Sequence, residues 1–265
     1  MTQRWKLTLE YDGTPFSGWQ RQENAFSVQE CLEKAVHGFC GETVTAHVAG
    51  RTDAGVHALG QVAHVDIEKT ADEKTVRDAI NFHMRPHPAV VVKAEPVDAD
   101  FHARFSAIYR VYCYKIIMNR RADPVLHHNR AWHVSWELDV AKMNKAAKHL
   151  IGHHDFSSFR AAECQAHSPM RSLQRLEFTE HKHSPDFGRH IELWAEARSF
   201  LHHQIRNMAG TLRLVGEGKW QPDDVKTVLE AKDRTKAGPM APAHGLYFVR
   251  VDYPSDFTKG IDSML

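Results

Sequence analysis

Arg51, Asp53 and His57 crowd into one glycine-punctuated stretch, residues 48–65. Glycines 50, 55 and 60 interrupt any regular element there, because glycine reaches backbone angles that other residues avoid. Short apolar runs at residues 43–48 and 61–67 read as strands on either side. The pattern predicts a long loop that presents the carboxylate of Asp53, with a guanidinium two residues before it and an imidazole four residues after. Three readings of that loop are open. Asp53 could cap a backbone N–H in a surface turn. The G-x-x-x-x-G spacing of Gly50 and Gly55 could cradle a phosphate, but Val56 and His57 stand where Lys and Ser/Thr should follow. Alternatively, Asp53 is a nucleophile or general base kept ionised by the nearby arginine.

The other chemistry-bearing residues narrow the field. The chain has 20 histidines, but the neighbours 127–128, 153–154 and 202–203 point to different faces of any helix or strand. No H-E-x-x-H or Cys/His finger spacing appears, so no metal site is expected; His57 and His202 read as phosphate or backbone partners. The four cysteines, Cys31, Cys40, Cys113 and Cys164, form no C-x-x-C pair and are expected to be reduced thiols of a cytoplasmic protein. No apolar signal core follows Met1 and no run approaches membrane-span length, so no membrane association is expected. A net charge of +1 is not that of a globally basic nucleic-acid binder. Locally, residues 101–121 hold five Arg/Lys and no Asp/Glu, and residues 198–219 hold four Arg/Lys against Glu217 alone. Such stretches can give a footprint for a polyanion.

The elements that must position these residues follow from periodicity. Trp5, Leu7, Leu9 and Tyr11 alternate with polar residues, as a half-buried strand does. Residues 18–22 follow in a loop where Trp19 could touch RNA or simply pack. Ser27, with Glu30 three residues on, opens a helix over 27–39. The strands around Asp53 come next, then a helix near 72–82 and a strand at 89–92. In the second half, strands are expected at 109–118, 173–180, 190–197 and 247–253. Helices are expected from Asp139 to a stop at Gly152, along the apolar stripe Leu201, Ile205, Met208, Leu212 and Val215, and from Pro222. Two β-α-β-β-α-β halves predict an α+β fold of two ferredoxin-like modules, 1–100 and 101–265. Asp53 then lies in the loop between the second and third strands of the first module.

The stretch Ala49-Gly50-Arg51-Thr52-Asp53-Ala54-Gly55-Val56-His57 resembles the active-site motif of the tRNA pseudouridine synthase A family. Phe101-His102-Ala103-Arg104-Phe105-Ser106-Ala107, Tyr112-x-Tyr114, Asp155-Phe156-Ser157-Ser158-Phe159-Arg160, His202-His203-x-x-Arg206-Asn207 and Ala231-Lys232-Asp233-Arg234-Thr235 resemble that family in the same order. The resemblance implies two sheets joined side by side into one extended antiparallel sheet around a central cleft. It implies conversion of uridine to pseudouridine at positions 38, 39 and 40 of the tRNA anticodon stem-loop, by a homodimer, with no cofactor and no metal. Asp53 would be the nucleophile at ribose C1′ or uracil C6, or the base that makes a glycal. The target base must be flipped out; Arg51 would fill the vacated space, and Tyr112 would stack on the uracil. Arg206 would pair with Asp53, and Leu246 would wall the pocket. Val111 departs from the pattern, standing where many relatives would carry a second arginine. A catalytically silent RNA-binding protein of the same fold and a phosphate-loop hydrolase are the competing readings.

Overall fold

The computed structural model describes residues 2–181 and 188–254. It is a mixed α+β structure whose strands pair mostly antiparallel. Contacts divide the chain into two units: one runs to Arg110 and resumes at Phe248, and the other is Val111–Tyr247.

The first unit is built on β1 (Gln3–Tyr11), which pairs antiparallel with β3 (His57–Ile67) on one side and β4 (Ala89–Val97) on the other. Leu7 lies opposite Ala63 and Ala94 in those ladders. The alternation seen in the sequence is the burial pattern: Trp5, Leu7, Leu9 and Tyr11 are all in the core. Two helices, α1 (Val28–Cys40) and α2 (Glu73–Met84), pack on each other. The Ser27 hydroxyl accepts from Glu30 N at 3.1 Å to start α1, and Gly41, at φ +79°, ends it in the left-handed region. Asn81 exchanges two hydrogen bonds with the Val91 backbone, at 2.9 and 2.7 Å, and so fixes α2 to β4.

Before the Asp53 loop the expected strand over 43–48 contracts to β2 (His47–Val48). Side-chain carboxylates take over the backbone groups here: Glu33 accepts from Ala46 N at 2.9 Å, while Glu42 accepts from Glu68 N and Lys69 N at 2.8 and 3.1 Å. After the loop β3 begins at His57, four residues earlier than the apolar run suggests, so His57 belongs to a strand.

In the second unit, β7 (Gly152–Asp155), β8 (Met170–His181) and β9 (Arg189–Ala197) form an antiparallel ladder, and β5 (Tyr109–Met118) lies beside β9. The short β6 (Trp132–Val134) pairs with β5 in parallel. Three helices pack with them: α3 (Val140–Ala147), α4 (Gln204–Gly216) and α5 (Pro222–Ala231). Neither β6 nor β7 was expected from the sequence, since each is too short to establish a period. Leu201 sits outside α4, because His203 turns left-handed at φ +63° and Gln204 Oε1 accepts from Leu201 N at 2.8 Å. The last strand, β10 (Leu246–Asp252), crosses from the second unit to the first at Tyr247/Phe248. Its first-unit part runs beside β3, with the Val249 carbonyl against Gly60, and Asp252 O accepts from Ile108 N at 2.9 Å. Sequence reading placed the division near residue 100 and assigned all of 101–265 to one module; the returning strand gives the first unit its late segment. Among the described residues, no helix is long and apolar enough to cross a membrane.

Candidate active site

The loop that carries Asp53 is pinned through the carbonyls of Ala49, Gly50, Thr52 and Asp53. Arg110, buried at the start of β5, donates to Ala49 O from Nε and Nη2 at 3.1 and 2.8 Å, and to Arg104 O at 2.8 Å. Gln61 Nε2 donates to Gly50 O at 2.8 Å. Trp19 N donates to Thr52 O at 3.0 Å, and Val56 N closes a turn onto Asp53 O at 3.1 Å. With these four carbonyls engaged, Arg51 is exposed and Asp53 is half-buried.

Thr52, immediately before Asp53, is buried, and its hydroxyl lies 2.8 Å from Tyr11 Oη. Gln61 Nε2 also reaches Tyr11 Oη at 3.4 Å, so the phenol accepts from the amide and gives its proton to Thr52. Burial pushes the Tyr11 phenol up to about 12, which keeps that donor protonated. Close approach is required on the outer side of the loop: a side chain on Gly18, at φ +96°, would start 2.7 Å from Thr52 O. The loop around Gly18 therefore holds the catalytic candidate in place. Trp19 is 1% exposed with its ring 6.3 Å from that of Tyr11, so it packs in the core. His57 is likewise buried. Its Nδ1 accepts from Gly13 N at 3.1 Å, with Asp12 Oδ1 at the same distance.

The candidates of the second unit have their own mount. Tyr112 and Tyr114 are alternate residues of β5. The Tyr112 ring meets Phe200 edge-on at 5.2 Å, while the fully buried Tyr114 donates to Pro242 O at 2.8 Å. Burial raises the Tyr114 phenol well above its ordinary value, and the positive charge of Arg206 opposes that rise. Arg206, on α4, donates from Nε to Ala241 O at 2.9 Å, and Ala241 N returns a bond to Arg206 O at 3.1 Å. A side chain on Gly245 would start 2.7 Å from the Tyr114 ring, so the strap at residues 239–246 lies flat on β5 and delivers Leu246, itself buried, to the start of β10. Within this unit the strap brings Arg206, Tyr114 and Leu246 into one neighbourhood. His202 is exposed, its ring 3.8 Å from that of His203.

Two motifs without an assigned role, at residues 155–160 and 231–235, turn out to hold α4 and α5. Asn207 donates to Phe159 O at 2.8 Å and accepts from Arg234 Nη2 at 2.9 Å; Arg234 Nη1 reaches Gly238 O at 3.0 Å. Thr211 Oγ1 donates to Asn207 O at 2.8 Å and accepts from Gly238 N at 3.0 Å. Ser158 Oγ bridges Val228 O, at 2.5 Å, and Asp233 N, at 2.9 Å. The sequence assigns no role in the site to Tyr11, Thr52, Gln61, Arg110, Asn207 or Arg234. The one sequence signal for Arg110 is its charge in a strand whose only other charged residue is Lys115.

The family model described as tRNA pseudouridine synthase matches residues 8–106 and 146–254 of this chain. The chain belongs to that family. It is therefore one of a family of isomerases that act on tRNA. The matched segments contain Asp53, Arg206 and Leu246, and Tyr112 falls between them. A tRNA pseudouridine synthase A of Paramagnetospirillum magneticum is 60% identical over 256 residues, which is 97% of this chain and 97% of the relative. The protein of that name from Rhodospirillum centenum is 55% identical over 251 residues, covering 95% of this chain and 100% of its own. That of Methylocella silvestris is 53% identical over 250 residues, 94% and 98% of the two chains. With such coverage on both sides, the likeness extends through every motif described above.

Proposed function

We propose that this chain is the tRNA pseudouridine synthase that isomerises uridines 38, 39 and 40 of the anticodon stem-loop, with Asp53 as its nucleophile. The observation that carries this reading is the clamped loop: a single carboxylate held half-exposed by a backbone whose own polar groups are already engaged. A side chain that must meet one ribosyl or uracil carbon needs that degree of preorganisation, since a misplacement of about 1 Å can cost about 100-fold in rate.

The reaction conserves atoms. The N1–C1′ bond breaks, the uracil turns, C5 bonds to C1′, and the proton on C5 leaves while N1 gains one. Asp53 acts as an ionised carboxylate in all three routes that the sequence left open: attack on C1′, attack on C6, or removal of the 2′-proton. The base must first leave its stack, at a cost of a few kcal/mol. In this reading Arg51, exposed beside Asp53, occupies the gap left by the base. Tyr112 stacks on the uracil and assists the C5 proton, Leu246 walls the pocket, and Arg206 pairs with Asp53; His57 and His202 support backbone or phosphate. The two units act as ferredoxin-like modules, and the protein works as a cytoplasmic homodimer. Chemistry of this kind requires neither cofactor nor metal.

Mapping the product tests the assignment. Unmodified tRNA transcripts incubated with the protein, then treated with carbodiimide and read by primer extension, are expected to show stops at 38, 39 and 40 alone. Stops at other positions, with those three silent, would overturn the assigned substrate site.

A further inference from the structure

The turn at residues 101–106 displays an aromatic ring beside a guanidinium. Phe105 is 71% exposed, and Arg104 is exposed beside it, its guanidinium 5.5 Å from the ring centre. The display is rigid. Ser106 N donates to His102 O at 2.9 Å, and His102 N donates to Ser106 Oγ at 3.0 Å. Arg104 N donates to His102 Nδ1 at 3.1 Å, and Phe105 N shares that acceptor at 3.4 Å. Arg110, which anchors the Asp53 loop, also holds Arg104 O. Behind the turn the His102 ring packs 4.4 Å from Phe105 and 4.7 Å from His64, which stacks on His47 at 4.9 Å. An ordered apolar ring left in water has a cost, and its size suggests what covers it. A protein partner needs about 800 Å² on each side, whereas an aromatic side chain supplies about 150–250 Å². That area matches one nucleobase, and the exposed guanidinium of Arg104 beside the ring matches the phosphate that adjoins it.

We propose that Phe105 stacks on an unpaired base of the RNA substrate while Arg104 meets the adjoining phosphate. This deepens the tRNA reading above and rests on it. The tests are tRNA affinity over a series of salt concentrations for the wild type, Phe105→Ala, Phe105→Leu, Phe105→Tyr and Arg104→Ala, with circular dichroism and sedimentation for each. Phe105→Ala is expected to raise Kd about five- to a hundred-fold without changing the salt slope, and Phe105→Tyr to restore it while Phe105→Leu does not. Arg104→Ala should flatten the log–log salt dependence by about one. A wild type that neither binds tRNA nor forms pseudouridine would overturn the functional reading itself. A wild type active on tRNA with Phe105→Ala at unchanged Kd, or with Phe105→Leu as good as Phe105→Tyr, would overturn the stacking site alone. A change confined to the sedimentation of Phe105→Ala would assign the ring to a protein contact and equally overturn it.

Discussion

Replacing Thr52 by valine keeps the shape of the side chain and removes one hydroxyl, which isolates the clamp behind Asp53. The phenol of Tyr11, 2.8 Å from that hydroxyl and 3% exposed, then keeps only the amide of Gln61 at 3.4 Å and loses the acceptor for its own proton. A buried donor left without a partner costs about 1–3 kcal/mol. Tyr11→Phe strands the Thr52 hydroxyl in the same way. The double variant removes both groups together and should recover part of the loss, giving a coupling energy of about 1–2 kcal/mol in urea unfolding. Because Thr52 is joined directly to Asp53, the same change should lower kcat by about 10- to 100-fold at saturating tRNA with little effect on KM, and Thr52→Ser should restore most of it. Single-variant energies that add to within about 0.5 kcal/mol, or a Thr52→Val enzyme with unchanged kcat, would refute the clamp.

Three further predictions follow from the same geometry. Burial, with help from the Arg4 charge, pushes His64 down to about 4. The unfolded chain takes up this proton near pH 6.5, so His64 contributes stability above that pH which is lost as pH falls towards 4. The displacement corresponds to about 3 kcal/mol, and the gap between urea midpoints at pH 7 and pH 4.5 should shrink in His64→Phe. A side chain on Gly210 would start 1.8 Å from Pro239 O, whereas one on Gly41, at φ +79°, meets open space. Thermal unfolding should therefore show a loss of about 3 kcal/mol or more for Gly210→Ala and about 1 kcal/mol for Gly41→Ala. Arg234→Ala removes the donor to Asn207 and Gly238; it should cost about 2 kcal/mol and lower activity through the mount of α4, which parallel unfolding and kcat measurements would show.

Local signals were legible in the sequence wherever local physics decides. The alternation Trp5, Leu7, Leu9, Tyr11 is β1, and Ser27 and Asp139 cap α1 and α3 with hydrogen bonds to residues only three positions on. The Asp53 loop was legible as glycine-broken backbone between apolar runs. Its clamp was not, because the partners are far apart in sequence: 41 positions separate Tyr11 from Thr52, and 61 separate Ala49 from Arg110. Residues 43–46 looked like strand by composition, yet the Glu33 carboxylate takes the Ala46 N–H instead. Trp19 could have been a surface ring or a core one, and only the approach of Tyr11 decides for the core. The strap at 239–246 carries no period at all; it is defined by the Pro239, Ala241 and Pro242 carbonyls that face Gly210, Arg206 and Tyr114.

If the carboxylate of Asp53 starts the isomerisation, the C5 proton can leave only after it has acted, and tritium release from tRNA labelled at uracil C5 reports that departure. The wild type is expected to release tritium and Asp53→Asn to release none, while both bind the tRNA with similar affinity. Release by Asp53→Asn at the wild-type rate would contradict the account.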